Sequence, residues 1–547
     1  MARQPIHSMI SALPTLPALL EHANTAPPSR GFHWLQGFLV VFAGCAHAVS
    51  MAWPWSFGLP AGQPVWWLQL LAMMMFTAQL DGCRSFKRAA WLGELFGTAM
   101  LCSTFWWLYI SMHNYGGLAA PLTLLAVFLL AAALALYYAI AAGLFALLAP
   151  RLRVPRALVF AALWLMAELA RVQIFTGFPW GEGGYAHVDG WARQLAEWVG
   201  VHGLTFLAAF AAAWLAMALR AQRTAWVMAT AIVAASVVLA RWPADGVGVA
   251  GQGRSTPAMG VTLLQGNIPQ DQKFESGTGI ATALRWYGEQ LQAARTPLVV
   301  APETAIPLLP QQLPAPYWTA LTDRFASGQQ AALIGLPLGN TTSGYANSVI
   351  GLKPAAPGAA RSEPYRYDKH HLVPFGEFVP PGFRWFIDMM NIPLGDFSRG
   401  AVGQVSFEWQ GQRLAPNICY EDLFGEELGA RFADPARAPT VFVNVSNIAW
   451  FGNTVAIDQH LHISRMRALE FDRPMIRATN TGATVIINHR GQVTHSLPPH
   501  TRGALVGEVV GRTGITPYAQ WVSRYGLWPL WGLCLALVAL ALVFRRR

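Results

Sequence analysis

Charge is what this chain has least of. Only 12% of its 547 residues are Asp, Glu, Lys or Arg, against about 25% in an average soluble domain. An ordinary soluble enzyme is therefore excluded as a description of the whole chain. Disorder is excluded as well, because 54% of the residues are hydrophobic and disordered chains are poor in apolar residues. Cysteine is scarce. Cys45, Cys102 and Cys534 lie inside apolar runs, Cys83 lies in a short polar loop, and Cys419 stands alone in the long polar segment, so a disulfide scaffold is excluded. Lysine is scarcer still: Lys87, Lys273, Lys353 and Lys369 are the four, against 34 arginines. The net charge of +10 comes without a basic patch interleaved with aromatics, so no nucleic-acid partner is expected. His370, His371, His460 and His462 lack zinc-ligand spacing, and neither metal nor cofactor is expected.

What the chain does have is apolar runs long enough to cross about 30 Å of hydrocarbon, roughly 20 residues as a helix. Eight are read: Phe32 to Met51, Val65 to Leu80, Ala89 to Met112, Leu118 to Leu148, Ala157 to Phe175, Trp198 to Leu219, Ala225 to Leu239 and Tyr525 to Phe544. Basic residues cluster on alternate loops: Arg84, Lys87 and Arg88; Arg151, Arg153 and Arg156; Arg220 and Arg223; Arg545, Arg546 and Arg547. Cytoplasmic loops retain Arg and Lys near helix ends. Both termini are therefore expected in the cytoplasm, with the segment between runs seven and eight outside. Met9 to Leu20 is apolar but is broken by Pro14 and Pro17, which favours a cytoplasmic leader over a cleaved signal. Glu168 and Arg171, three apart in run five, are expected to pair on one helix face.

From Pro243 the composition turns to Gly, Asp, Ala and Val, a linker. Beyond it, short β-rich runs alternate with helical segments. Strands are predicted at Gly260 to Leu264, Pro297 to Ala301, Ala331 to Gly335, Ser348 to Leu352, Arg413 to Cys419, Thr440 to Val445, Thr484 to Asn488 and Ala504 to Val509. Helices are predicted at Ala281 to Arg295, Ala315 to Ala326 and Asp458 to Phe471. Interleaving of this kind argues an α/β layered domain. The expected organisation is a leader (1–31), seven helices (32–242), a linker (243–257), the layered domain (258–520), and a final helix with a basic tail (521–547).

Three residues in that domain stand where strands give way to loops: Glu303 in VVAPETAIP, Lys369 in YRYDKHHLVPFGEFVP and Cys419 in PNICYEDLFGEE. Strand ends project side chains into crevices. A lone cysteine is more often buried core than nucleophile, but a carboxylate and a rare lysine in matching positions shift that balance. A compact ammonium offers what a guanidinium cannot.

At these residues the sequence resembles the apolipoprotein N-acyltransferase family, bacterial inner-membrane enzymes whose outer domain is of the nitrilase, or carbon–nitrogen hydrolase, type. The resemblance runs nearly the whole length through GFPWGEGGY (177–185), LLQGNIPQ (263–270), PETAIP (302–307), HLVPFGEFVP (371–380), FSRG (397–400), ICYE (418–421), NVSNIAWFGN (444–453), RMRALEFDRP (465–474), RATNTG (477–482) and TPYAQ (516–520). It implies a polytopic α-helical membrane protein of about eight transmembrane helices carrying an inserted α/β nitrilase-like layered sandwich. It implies a Glu303, Lys369 and Cys419 triad, supported by Glu377, Tyr420, Glu421 and Asn347. Phe274 departs from the family pattern, where Trp is frequent.

The implied reaction moves a fatty acyl chain from a phospholipid to the α-amine of a diacylglyceryl-apolipoprotein at the membrane, through a Cys419 thioester; separately, a monomer is expected. Two other readings share parts of this sequence. A membrane-tethered amidase would use the same three residues but gives no reason for the preceding apolar runs. A transporter or receptor would not need Cys419, and the runs show no internal repeat.

Overall fold

The computed structural model describes residues 34–219, 253–340, 342, 344–355, 363–389 and 396–545. Among the described residues, six helices of 15 residues or more form the first half: α1 (Trp34–Val49), α2 (Trp66–Leu80), α3 (Phe86–Thr104), α4 (Ala120–Leu148), α5 (Arg153–Gln173) and α6 (Ala196–Leu219). Apolar residues surround α4 on all sides and Pro121 sits in its first turn, where a missing N–H costs nothing. At about 1.5 Å per residue its 29 residues span about 43 Å.

Among the described residues, three helices are long and apolar enough to cross a membrane, or up to five if each bent pair counts as one span. The expected count of eight is therefore not reached among the described residues. The third run bends by 63° between Phe86–Thr104 and Leu108–Tyr115, and the helix of the eighth, Trp528–Val543, meets the preceding Pro517–Tyr525 at 92°. Helix α2, at 15 residues, covers only about 22 Å. Run seven, Ala225 to Leu239, lies outside the described residues.

After α5, Phe175 (φ 55°), Thr176 (φ 69°) and Gly177 (φ 82°) are all left-handed and reverse the chain. Only glycine fits at 177, because a Cβ there would lie 1.8 Å from the Val172 carbonyl oxygen. Helix α6 breaks at Gly200 (φ 67°), where the ring of Tyr518 takes the place a side chain would need.

The second half is built on two six-stranded sheets. One runs β12-β1-β2-β3-β4-β5 and the other β11-β10-β9-β8-β7-β6. The first contains β1 (Ser255–Gln265), β2 (Leu298–Ala301), β3 (Ala331–Asn340), β4 (Gly344–Leu352), β5 (Tyr365–Asp368) and β12 (Gly503–Arg512). The second contains β6 (Phe407–Trp409), β7 (Gln412–Ile418), β8 (Val441–Ser446), β9 (Met475–Thr479), β10 (Thr484–Ile487) and β11 (Val493–Leu497). The β1–β2–β3 and β7–β8–β9 pairings are parallel, while β12 returns antiparallel to β1.

Central strands read as unbroken apolar runs because both faces are covered. Leu263, Val300 and Leu333 point into the layer between the sheets, against Ile418, Val443 and Ile476. Their neighbours Leu264, Val299 and Ala332 point the other way, onto Tyr287, Leu291 and Phe325 of α7 (Ala281–Ala293) and α8 (Ala315–Ala326). The outer face of the second sheet packs on α9 (Ala456–Phe471) and joins the helical half in one core, where Leu165, Leu169 and Leu204 share a cluster with Leu423, Phe442 and Met466.

All eight predicted strands are present with shifted ends, and β5, β6, β9 and β11 are additional. Strand β1 starts inside the expected linker. Cys419 is not the last strand residue but the first of a 3₁₀ turn, Cys419–Leu423. The chain ends in α10 (Pro517–Tyr525) and α11 (Trp528–Arg545).

Candidate active site

Glu303, Lys369 and Cys419 come from the ends of β2, β5 and β7, three strands whose C-terminal ends open on one side of the sandwich. Each turn contains a left-handed residue: Thr304 (φ 51°) follows the glutamate, Phe375 (φ 61°) lies between Lys369 and Glu377, and Cys419 itself has φ 53°. Such backbone costs on the order of 1–3 kcal/mol at a non-glycine residue, and surrounding bonds must hold it. Around Cys419 those bonds are visible. Asn444 Nδ2 and His460 Nε2 both lie 3.2 Å from its carbonyl oxygen. Glu421 Oε2 accepts from the Ile418 N–H at 2.6 Å.

The charged groups form a tight set. Lys369 Nζ is 2.8 Å from Glu377 Oε2 and 3.6 Å from Glu303 Oε1, and it is buried. Asn347 Nδ2 donates to both carboxylates, at 2.7 Å to Glu303 Oε1 and 2.8 Å to Glu377 Oε1. The second oxygen of Glu303 accepts from the Asn447 N–H (2.8 Å), and that of Glu377 from the Val373 N–H (2.9 Å).

Burial alone would discharge Lys369, but Glu377 and Glu303 outweigh it and hold the ammonium well above its ordinary pKa. Lys369 is thus a fixed cation, and it can neither give nor take a proton near neutrality. The opposite holds at Cys419, which is partly exposed. Desolvation and the charge of Glu303 push its thiol up to about 12, with Lys369 only partly offsetting them. A thiol in that state reacts only when a base takes its proton as it attacks.

The remaining sequence-predicted residues divide. Asn347 and Glu377 belong to the charged set. Glu421 does not touch it: its carboxylate, buried and held up in pKa by desolvation against opposing hydrogen bonds, accepts from the His370 N–H (2.6 Å), the His371 N–H (3.2 Å) and the Tyr367 hydroxyl (2.7 Å). It ties the lysine strand to the cysteine turn. Tyr420 points away, toward the helical half, where its hydroxyl donates to the Gly177 carbonyl (3.3 Å) and its ring stacks on Phe178.

Two residues were missed. Asn447, inside the NVSNIAWFGN motif, acts through its main chain, and a backbone donor leaves no mark on residue type. Lys273, one of only four lysines, is buried beside Glu303, and rarity was its one signal.

Glu168 and Arg171 do not bond to one another. Glu168 Oε1 accepts from the Gly183 N–H (3.1 Å), and Arg171 Nη1 donates to the Phe178 (2.9 Å) and Trp180 (2.7 Å) carbonyls. Both brace the 177–185 segment, because that loop folds back over the helix end and offers backbone partners closer than the opposite charge.

Comparison with known proteins covers both halves. Residues 50–214 match the family model described as Apolipoprotein N-acyltransferase N-terminal domain, and residues 260–518 match the one described as Carbon-nitrogen hydrolase. A protein of Verminephrobacter eiseniae (strain EF01-2) named Apolipoprotein N-acyltransferase is 59% identical over 502 residues, covering 89% of this chain and 92% of that protein. One of the same name from Ralstonia nicotianae is 44% identical over 485 residues, covering 88% and 90%. A third, from Bordetella bronchiseptica, is 41% identical over 557 residues, covering 95% and 98%.

Proposed function

The chain belongs to the apolipoprotein N-acyltransferase family, and from that membership we propose that Glu303, Lys369 and Cys419 carry a two-step acyl transfer. It is an acyltransferase acting on lipoproteins. The donor is a phospholipid and the acceptor the α-amine of a diacylglyceryl-cysteine.

In the first step Glu303 takes the Cys419 proton as sulfur attacks the ester carbonyl. The oxyanion of the tetrahedral intermediate is stabilised by Lys369 and by main-chain N–H groups near Tyr420. Collapse breaks the ester C–O bond, the proton passes from Glu303 to the leaving alkoxide, and lysophospholipid departs from an acyl-thioester. In the second step the acceptor amine loses a proton to Glu303, attacks the thioester carbonyl, and expels Cys419 as its thiol. Two displacements through one covalent intermediate make a ping-pong cycle. Glu377 and Asn347 hold Lys369 and Glu303 in register, and Glu421 and Tyr420 fix the turns behind them.

We place residues 258–520 outside the bacterial inner membrane as the catalytic domain, with a cytoplasmic leader (1–31), membrane helices at 32–242, a linker at 243–257 and a last span at 521–547. The alternating basic loops support this topology, with both termini cytoplasmic. A site facing lipid rather than water favours the amine over hydrolysis.

The observation that carries the proposal is the Lys369 ammonium fixed between two carboxylates beside a strand-end cysteine. Mass spectrometry of the protein incubated with phospholipid alone tests it. A hydroxylamine-labile acyl adduct on Cys419, which disappears when a diacylglyceryl lipopeptide becomes N-acylated, is expected. No adduct, with turnover of a small soluble amide instead, would replace this reading with a tethered amidase.

A further inference from the structure

Lys273 enters none of the steps above, yet it is the second ammonium at the centre. It lies in the loop after β1 with only 2% of its surface exposed. Its one hydrogen bond among the described residues goes to the Glu303 carbonyl oxygen at 3.2 Å. That carbonyl precedes Thr304, the left-handed residue that turns the chain after β2. The same loop reaches the carboxylate end of Glu303 by a second route, since Gln270 Oε1 accepts from Asn447 Nδ2 (2.8 Å) and the Asn447 N–H holds Glu303 Oε2 (2.8 Å).

The charges around it give the position a purpose. Two carboxylates, Glu303 and Glu377, face one ammonium, Lys369, so the formal charge of the set is −1 before the thiol ionises. Arg477 also faces Cys419, but Asp422 matches it at 3.4 Å, with His460 on the other Asp422 oxygen. Asp271 and Glu275, on the same loop as Lys273, are exposed to water. Burying an ammonium against a single carbonyl is costly, and desolvation, with Glu303 opposing it, brings Lys273 down to about 8. A residue held at that cost inside the set cancels its remaining charge.

We propose that Lys273 is a positioning residue of the transfer reaction, fixing Glu303 through its main-chain carbonyl and balancing the charge that develops on Cys419. The proposal rests on the triad reading, and its test separates the two. Iodoacetamide needs neither phospholipid nor lipoprotein, and its rate with Cys419 at fixed pH follows the thiolate fraction.

In the full-length protein in detergent, Lys273→Met and Lys273→Gln should slow alkylation of Cys419 at pH 7, where Lys273 is charged, on the order of tenfold. The acid limb of the N-acylation pH profile should also move to higher pH. Lys273→Arg, which keeps the charge, should retain most of both. The glutamine variant can still donate to the Glu303 carbonyl, so a slow glutamine variant assigns the effect to charge, while thermal melting reports folding separately. Alkylation within twofold of the parent in the methionine and glutamine variants, or equal loss in the arginine variant, would overturn the proposal. A parent protein that forms no acyl adduct would overturn the donor assignment alone.

Discussion

At the scale of the residue, the site is organised by one amide. Asn347 Nδ2 bonds two carboxylates at once, and a hydrogen bond to a charged group contributes about 1.5–3 kcal/mol. Asn347→Ala should therefore lower kcat for acyl transfer roughly 10- to 100-fold. KM for a phospholipid donor should stay within a few-fold, because the amide N–H groups of Asn347 are taken up by Glu303 and Glu377; steady-state kinetics with the two substrates varied independently checks the split. That Glu303 and Cys419 stand at strand ends was legible in the sequence from the apolar runs before them, and the structure brings Glu303 and Lys369 within 3.6 Å. Lys273 and Asn447 were not legible, since both act on Glu303 through main-chain atoms, and spacing carries no information about those.

At the scale of the element, breaks matter as much as helices. Gly200 combines a left-handed φ with contact against Tyr518 of α10, where an added Cβ would lie 2.3 Å from the ring. Gly200→Ala should cost about 2 kcal/mol or more, read as a lower melting temperature in detergent with helix content unchanged. Hydropathy foresaw run three but not its bend, because a run stays apolar whatever direction it takes. Two of the missed strands share a physical reason too. Strand β5 (YRYD) and strand β11 (VTHSL) lie at sheet edges and read as polar. In β9 (MIRAT) a fully buried arginine interrupts the apolar pattern, and Asp422 and Ser464 neutralise and bond it.

At the scale of the whole molecule, the halves are locked by side chains that cross between them. Gln459 of α9 accepts from the indole N–H groups of Trp107 (3.1 Å) and Trp180 (2.8 Å), and donates to the Thr104 carbonyl (3.1 Å). Glu470 accepts from the Val201 N–H (2.6 Å), and Arg465 pairs with Asp189. Gln459→Leu strands two buried donors and an acceptor, a loss on the order of 3 kcal/mol or more. It should raise amide hydrogen exchange in both α9 and the 104–115 bend while leaving the β2–β3 pairing protected. Exchange that rises only in α9 would mean that the latch does not couple the halves.

The pairing of β1 with β12 has a consequence for how the protein is made. The first strand of the sandwich finds its hydrogen-bonding neighbour some 240 residues later, from Gly260 opposite Glu508 to Gln265 opposite Gly503. Until the ribosome has delivered that last strand, β1 offers an open edge to any passing extended chain. A ribosome that stops between Asp368 and Gly503 therefore releases a first sheet that is complete but for its β1 edge and already tethered to its helices.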